Sequence, residues 1–336
     1  MKKALALCVV LALPAATNWL HAQSPGAADA GLVGTWTLES MEQNVGAPQA
    51  GRVGGPRGLL VFDSAGHAFE AVVRGTARAG GPGAGRGAGR GAAPAAAPAA
   101  AAPQPASAFS TFAGFWGNYR VDAQKKTVTY RPEGAVSPNM MGREFSRTFE
   151  VNGNRLIVTS APDEPHLQGV TRWTWERVPP VESLGPTYKQ VVGFWQHVVE
   201  QRVNVATGAV LSETKRAPSI IVYTPSGYVG VHFPPLNRNR FAGTEPTDAE
   251  AAEATRGYVG YFGALSVYPQ MVFHQVLAGL GFSGSTLKRP LEMSGSGSDV
   301  TIKFPPGAAQ NGQQTTTWVK LHRLSGEAEM MPKSGK

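Results

Sequence analysis

The residues of this chain that could do chemistry are mainly aromatic and basic. In the first half, the candidate ligand-binding residues are Trp116, Tyr119, Tyr130, Asn139 and Arg147, with Arg143 as an alternative to Arg147. Aromatic side chains provide apolar area, and one arginine can hold a carboxylate or phenolate through two parallel hydrogen bonds. These residue types therefore predict a pocket for a small hydrophobic or aromatic molecule. The alternative is that the aromatic residues only fill a core and the arginines face water.

A second set of candidates lies in the other half of the chain. Its ligand-binding residues are Tyr228, Tyr258, Tyr261 and His274. His274 has apolar neighbours in a strand-like segment, so an inward imidazole could act as a general base or as a ligand donor. A lone histidine in a strand is more often structural. His232 could meet His274 across strands, but no third ligand is spaced with them, so we predict no metal site.

The sequence contains none of the usual catalytic patterns. It has no nucleophile elbow, no Walker loop and no zinc-protease helix motif. Paired carboxylates at a useful spacing are also absent, and Glu133 is the only one near the aromatic group. We therefore predict neither catalytic residues nor a cofactor. A basic stripe interleaved with exposed aromatics is missing as well, which argues against nucleic-acid binding.

The N-terminus predicts export. Lys2 and Lys3 precede a short apolar stretch, and a small-residue cleavage site follows near Ala22, so residues 1–22 read as a signal peptide. No later segment reaches the roughly 20 apolar residues of a membrane helix. The mature chain should thus be a periplasmic protein without an integral membrane segment, and the alternative is an uncleaved N-terminal anchor. The single cysteine, Cys8, is lost with the signal, so no disulfide is expected.

The chain repeats itself. Both halves contain, in the same order, a Gly-x-Trp strand start, an apolar hairpin with a Gly turn, a Gly-aromatic strand and a Trp-bearing final strand. The paired segments are residues 31–40 and 191–200, 58–69 and 219–230, 113–121 and 259–267, and 171–178 and 315–324. The intervening periodicity is mostly two, with short strands and Gly-rich turns. Four ordered matches indicate a duplicated all-β module, in which the strands form a meander that either closes on itself or stacks as a sandwich.

The segments between these matches complete the predicted organisation. Thr247 and Glu250 form a capping box that predicts a helix from Asp248 to Thr255 in the second module. The Gly/Ala/Pro-rich stretch 77–108 lacks large side chains and is predicted to be a disordered insert in the first. Residues 179–190 form a short Pro-rich linker, so the modules should sit close together. The tail 325–336 is expected to be disordered.

Several of these motifs resemble the bacterial lipocalin-like domain family. The likeness rests on residues 113–119, 137–142, 147–151, 175–177, 223–228 and 258–263, and it extends over most of 31–178 and 191–324. The resemblance implies two tandem antiparallel barrels of about eight strands, the size that can hold one small ligand. The second module departs from the pattern at 279–285, and the first departs where the helix would be. The family implies no catalytic residues.

Three functions follow from these observations. The first is binding of a small hydrophobic molecule inside one or both barrels. The second is a cofactor-independent cyclase or isomerase that works by orienting its substrate, with His274, Tyr261 or Glu133 as candidate polar groups. The third is a non-catalytic interaction module of the envelope, which an exposed apolar patch would favour. The sequence leaves the ligand and the oligomeric state open.

Overall fold

The protein consists of two antiparallel β-barrels in tandem. The computed structural model describes residues 30–74, 106–164, 167, 169–215, 218–280, 284–293, 296–307, 309 and 313–332. The predicted signal peptide lies outside this part of the chain, as does most of the predicted insert.

The first barrel is formed by an eight-stranded meander with one short additional strand. Its strands are β1 (Gly34–Gln43), β2 (Gly51–Arg52), β3 (Arg57–Phe62), β4 (His67–Val73), β5 (Phe112–Asp122), β6 (Thr127–Ala135), β7 (Phe145–Asn152), β8 (Arg155–Ser160) and β9 (Thr171–Val178). The strand order is β2-β1-β3-β4-β5-β6-β7-β8-β9, and pairing of β1 with β9 closes the barrel. The extra strand β2 pairs with the end of β1.

The second barrel repeats this arrangement strand for strand. Its strands are β10 (Gly193–Asn204), β11 (Val210–Lys215), β12 (Ile220–Tyr223), β13 (Tyr228–Phe233), β14 (Val259–Tyr268), β15 (Met271–Gly279), β16 (Thr286–Met293), β17 (Asp299–Lys303) and β18 (Thr315–Ser325). The order β11-β10-β12-β13-β14-β15-β16-β17-β18 closes through β10 and β18. The predicted duplication and the predicted pair of barrels are both confirmed.

Equivalent tryptophans anchor the first strand of each barrel. Trp36 and Trp195 are fully buried, and their indole N–H groups donate to the carbonyls four residues earlier, at Leu32 and Val191. An arginine from the last strand covers each ring, with the guanidinium carbon 4.0 Å from the ring centre for Arg177 and 4.4 Å for Arg323. Such cation–π contacts hold the first and last strands together.

Helices are short and lie outside the barrels. They are Ala106–Thr111, Pro186–Val191, Asp248–Thr255 and Glu327–Met330, with a 3₁₀ turn at Pro138–Met140. The predicted helix and its capping box are confirmed, since Thr247 accepts from the Glu250 amide while Glu250 returns to the Thr247 amide. None of the helices described is both long and apolar enough to cross a bilayer.

Two predicted boundaries are wrong. The tail does not begin at residue 325, because β18 includes Ser325, residues Glu327–Met330 are helical and Met330 is fully buried between the barrels. The insert does not extend to residue 108, because the helix that leads into β5 begins at Ala106. The order of the tail was not predictable from its sequence, because it depends on a tertiary contact in which one buried methionine anchors the segment.

The two barrels share a hydrophobic core, which we call the interface core. Its buried residues are Leu59, Val61, Phe69, Ala71, Phe112, Trp116 and Val136 from the first barrel, and Val192, Phe194, Ile220, Val222, Tyr258, Phe262, Ala278, Leu280 and Met330 from the second unit. Alternate residues of β3 divide between two cores, since Leu60 and Phe62 pack inside the first barrel while Leu59 and Val61 pack in the interface. The strand is thus buried on both faces.

Candidate functional site

The inward-facing arginine of the first barrel comes from β7. Burial alternates along this strand, so that Phe145, Arg147 and Phe149 are buried while the residues between them are exposed. Arg147 is only 1% exposed. Arg143 precedes the strand and is exposed, which identifies Arg147 as the arginine that points inward.

Two carboxylates engage the Arg147 guanidinium. Nη1 donates to Glu70 on β4, whereas Nε and Nη2 face Glu164 at 3.0 and 2.7 Å. The glutamates are also buried, with exposed fractions of 5% for Glu70 and 3% for Glu164. Two carboxylates against one guanidinium leave one excess negative charge when both are ionised. Burial raises the pKa of the Glu164 carboxyl, and the charge of Arg147 opposes that rise.

Four aromatic rings surround the same guanidinium. The distances from its carbon to the ring centres are 4.3 Å for Trp173, 5.2 Å for Phe145, 5.5 Å for Tyr130 and 5.7 Å for Phe115. The hydroxyl of Tyr130 is fully buried and has no hydrogen-bond partner within the described chain. An unsatisfied buried hydroxyl costs about 1–3 kcal/mol, so this group is suited to a partner that enters from outside.

A small void lies beside this cluster. It has a volume of about 10 Å³, and its lining includes Glu70, Arg74, Phe115, Arg147 and Trp173. This is close to the space that one water molecule needs. A ligand must therefore move side chains to enter.

A surface groove lies close in sequence to Glu164. It has a volume of about 700 Å³ and is lined by residues 44–47, Gln49, Pro162, Gly169 and Val170. Pro162 is two residues from Glu164, in the connection between β8 and β9. The groove is open to solvent, and it adjoins the chain segment that supplies one of the two carboxylates.

The polar cluster of the second barrel is arranged differently. His274 is buried in the interior, where Nδ1 lies 2.8 Å from the Tyr261 hydroxyl and Nε2 lies 3.2 Å from the Tyr223 hydroxyl. Burial, assisted by the charge of Arg289, holds the pKa of His274 well below its usual value. Both ring nitrogens are engaged by hydroxyls, so the geometry fits a packing role for this cluster.

The other predicted residues separate into two locations. Tyr119 lies in the first barrel with Tyr130 and Arg147, and its hydroxyl donates to the Asp63 carbonyl. Trp116 and Tyr258 belong to the interface core, and Tyr228 packs against it. Asn139 joins the barrels by donating to the Gly243 carbonyl and accepting from the Phe241 amide. The predicted set therefore does not form one pocket.

His232 connects the interface to the candidate site. Its Nε2 lies 2.9 Å from the Glu70 carbonyl oxygen, and its Nδ1 lies 2.8 Å from the Tyr258 hydroxyl. A carbonyl can only accept, so Nε2 carries the proton and Nδ1 accepts from tyrosine. His232 and His274 thus lie in different environments and do not share a site. No cluster of three or more His, Cys, Asp or Glu suited to a metal occurs in the described ranges.

The burial of His232 predicts a loss of stability in acid. Burial lowers its pKa from 6.5 to about 4, so the unfolded chain takes up this proton before the folded one does. The free energy of unfolding should therefore fall between these two pH values, by up to about 1.4 kcal/mol for each pH unit. In His232→Gln, which can still donate to Glu70, urea unfolding at several pH values should show a smaller decline.

The matched control for this prediction is His322→Gln, at an exposed histidine paired with Asp299. It should keep the acid dependence of the wild type. An equal decline in wild type and His232→Gln would contradict the assignment of His232 as a neutral buried imidazole.

Sequence reasoning missed both carboxylates of the site. We expected no useful pair, yet Glu70 and Glu164 converge on one guanidinium although they are far apart in sequence. Glu70 carried a signal, because it is the only charged residue in the apolar run from Ala68 to Val73. Glu164 carried none, since it lies in a polar connection.

The comparisons with known proteins agree with the fold. A sequence model of the lipocalin-like domain family matches residues 33–178 and again residues 192–321. The chain belongs to this family, with two tandem copies of the domain. A search of curated proteins found no match.

Solved structures provide two distant similarities. One is a protein of unknown function from the DUF3598 family of Nostoc punctiforme, with 11% identity and a TM-score of 0.20, covering 87% of this chain and 96% of that one. The other is a proposed outer membrane protein from Bacteroides fragilis, with 12% identity and a TM-score of 0.21, covering 88% and 99%. Similarity at this level carries no argument about function.

Proposed function

We propose that this protein is exported and that its first barrel binds a small apolar molecule, with the Arg147 cluster as the polar anchor. The observation that carries the proposal is a buried guanidinium within four aromatic rings, beside a void and an unsatisfied tyrosine hydroxyl. Small-molecule sites combine an apolar lining with a few polar groups that fix orientation. Export rests on the signal pattern of residues 1–22.

The first barrel is preferred over the second because of its polar groups. In the second barrel, both nitrogens of His274 already face tyrosine hydroxyls. In the first, the Tyr130 hydroxyl lacks a described partner, and Arg147 is held in part by a carboxylate from a connecting segment. The enzyme and the envelope-module alternatives stay predictions, since no feature of the site favours them.

A space-filling substitution tests this function. Ala113 lines the void, and Ala113→Phe should lower the affinity for a neutral apolar probe, N-phenyl-1-naphthylamine, by about tenfold or more, because the added ring fills the void and the space that an entering ligand would open beside it. Probe fluorescence measures the affinity. Tenfold corresponds to about 1.4 kcal/mol.

The matched control is Val259→Phe at the equivalent position of β14, where Val259 packs against the core of the second barrel. It should leave the affinity within about threefold of wild type. If wild type fails to bind the probe, or if only Val259→Phe weakens binding, ligand binding in the first barrel is refuted.

A further inference from the structure

We infer that the ligand of the first barrel is an aryl carboxylate and that Glu164 occupies its place on Arg147 in the unliganded protein. This inference rests on the proposed function and names its ligand class. The juxtaposition that carries it is one buried guanidinium with two carboxylates, of which one belongs to a strand and the other to a connection between strands.

The backbones that carry the two carboxylates differ in how firmly they are held. Glu70 lies within β4, opposite Leu60 of β3 and Phe115 of β5, and its carbonyl also accepts from His232 of the second barrel. Glu164 lies between β8 and β9, where its backbone makes turn hydrogen bonds of 3.2 and 3.3 Å. The backbone at Glu164 can therefore shift away from Arg147 without breaking a strand pairing, whereas the backbone at Glu70 cannot.

The position of Glu164 also defines what can replace it. Its carboxylate faces the edge of the guanidinium formed by Nε and Nη2, with oxygen distances of 3.0 and 2.7 Å. This is the fork that recognises carboxylates through two parallel hydrogen bonds. A neutral group in its place would leave the charged donors weakly paired, whereas a ligand carboxylate would preserve both the hydrogen bonds and the net charge.

The surroundings favour a flat apolar body on that carboxylate. Trp173, Phe145 and Tyr130 lie within 5.5 Å of the guanidinium carbon, and aromatic rings prefer offset or edge contacts with other rings. The Tyr130 hydroxyl, which lacks a described partner, can donate to a ligand oxygen. The connection that carries Glu164 borders an open groove at Pro162, so water is available near the chain segment that would move.

The test uses the full mature chain and three ligands with the same ring system: 2-naphthoate, 2-naphthylmethanol and 2-naphthylmethylamine. Calorimetry should rank 2-naphthoate first. In Glu164→Gln the competing charge is absent, so 2-naphthoate should bind about tenfold or more tightly than in wild type, since charge-assisted hydrogen bonds exceed neutral ones. The alcohol should change by less than about threefold.

Glu70→Gln is the matched control, because it removes the other carboxylate from the same guanidinium. There Glu164 still occupies the fork, so the affinity for 2-naphthoate should stay within about threefold of wild type. If both variants bind 2-naphthoate more tightly by the same factor, the cause is a general effect of charge. The inference that Glu164 occupies the ligand's place would then be overturned.

If Glu164→Gln fails to fold, the same inference can be tested on the wild-type protein. Saturating 2-naphthoate should increase hydrogen exchange in the peptide 156–164, whereas the alcohol should not. If the alcohol or the amine binds as tightly as 2-naphthoate, the carboxylate inference fails while the proposed function stands. If neither these ligands nor N-phenyl-1-naphthylamine bind, the proposed function fails as well.

Discussion

Replacing Arg147 with methionine is expected to lower the free energy of unfolding by about 3–5 kcal/mol, because it leaves two buried carboxylates without their cation. Methionine retains the approximate length of the side chain, so the loss reports charge rather than volume. Urea unfolding followed by tryptophan fluorescence measures the change. The exposed pair Arg120–Glu144 provides the control, and Arg120→Met should cost at most about 1 kcal/mol.

The pH dependence of this variant supplies a second readout. Without Arg147, no positive charge opposes the effect of burial on Glu164, so the folded-state pKa of this carboxyl lies further above that of the unfolded chain. The folded state then binds protons first, and the variant should gain stability relative to wild type as the pH falls. Adding Glu70→Gln and Glu164→Gln should restore most of the loss. If Arg147→Met has the same free energy of unfolding as wild type at neutral pH, the charges of the Arg147 cluster are not shielded from water.

Phe69→Ala is expected to destabilise both barrels together. Phe69 is fully buried in the interface core, where its ring centre lies 4.7 Å from that of His232. Truncating a buried phenylalanine costs about 3–5 kcal/mol. The substitution leaves a cavity that adjoins strands of both barrels. Hydrogen exchange should therefore increase in peptides from β4 and from β13.

Phe149→Ala is the matched control, since Phe149 is buried inside the first barrel away from the interface core. Its increased exchange should be confined to the first barrel. If Phe69→Ala leaves the second barrel protected, the barrels are independent units and the shared core does not couple them.

The fold could be predicted because it depends on local patterns. The strand β7 has period-two burial, and Asn152-Gly153 marks the hairpin that follows it, with Asn152 paired to Arg155. The helix from Asp248 was predictable from its capping box. Duplication strengthened the strand signals, because four segments occurred twice in the same order.

The interface between the barrels was only partly visible. Strands β3 and β12 are continuous apolar runs in which every second residue packs in the interface core, such as Val61 and Val222. Such runs indicate a strand buried on both faces, and this pattern could have identified the contact. Trp116 and Tyr258 were predicted to line pockets instead. The sequence pattern around a buried aromatic residue is the same in a barrel interior and between two barrels.

The chain by itself determined two repeated antiparallel modules and their strands, since alternation and turn residues act over a few positions, whereas closure of each sheet was implied only by the family resemblance. Tertiary structure alone decided that Arg147 meets Glu70 and Glu164 and that His232 of one barrel holds the backbone of the other. The physical reason is that these contacts join residues 17 to 162 positions apart. Only the closure and docking of the barrels bring them within hydrogen-bond distance.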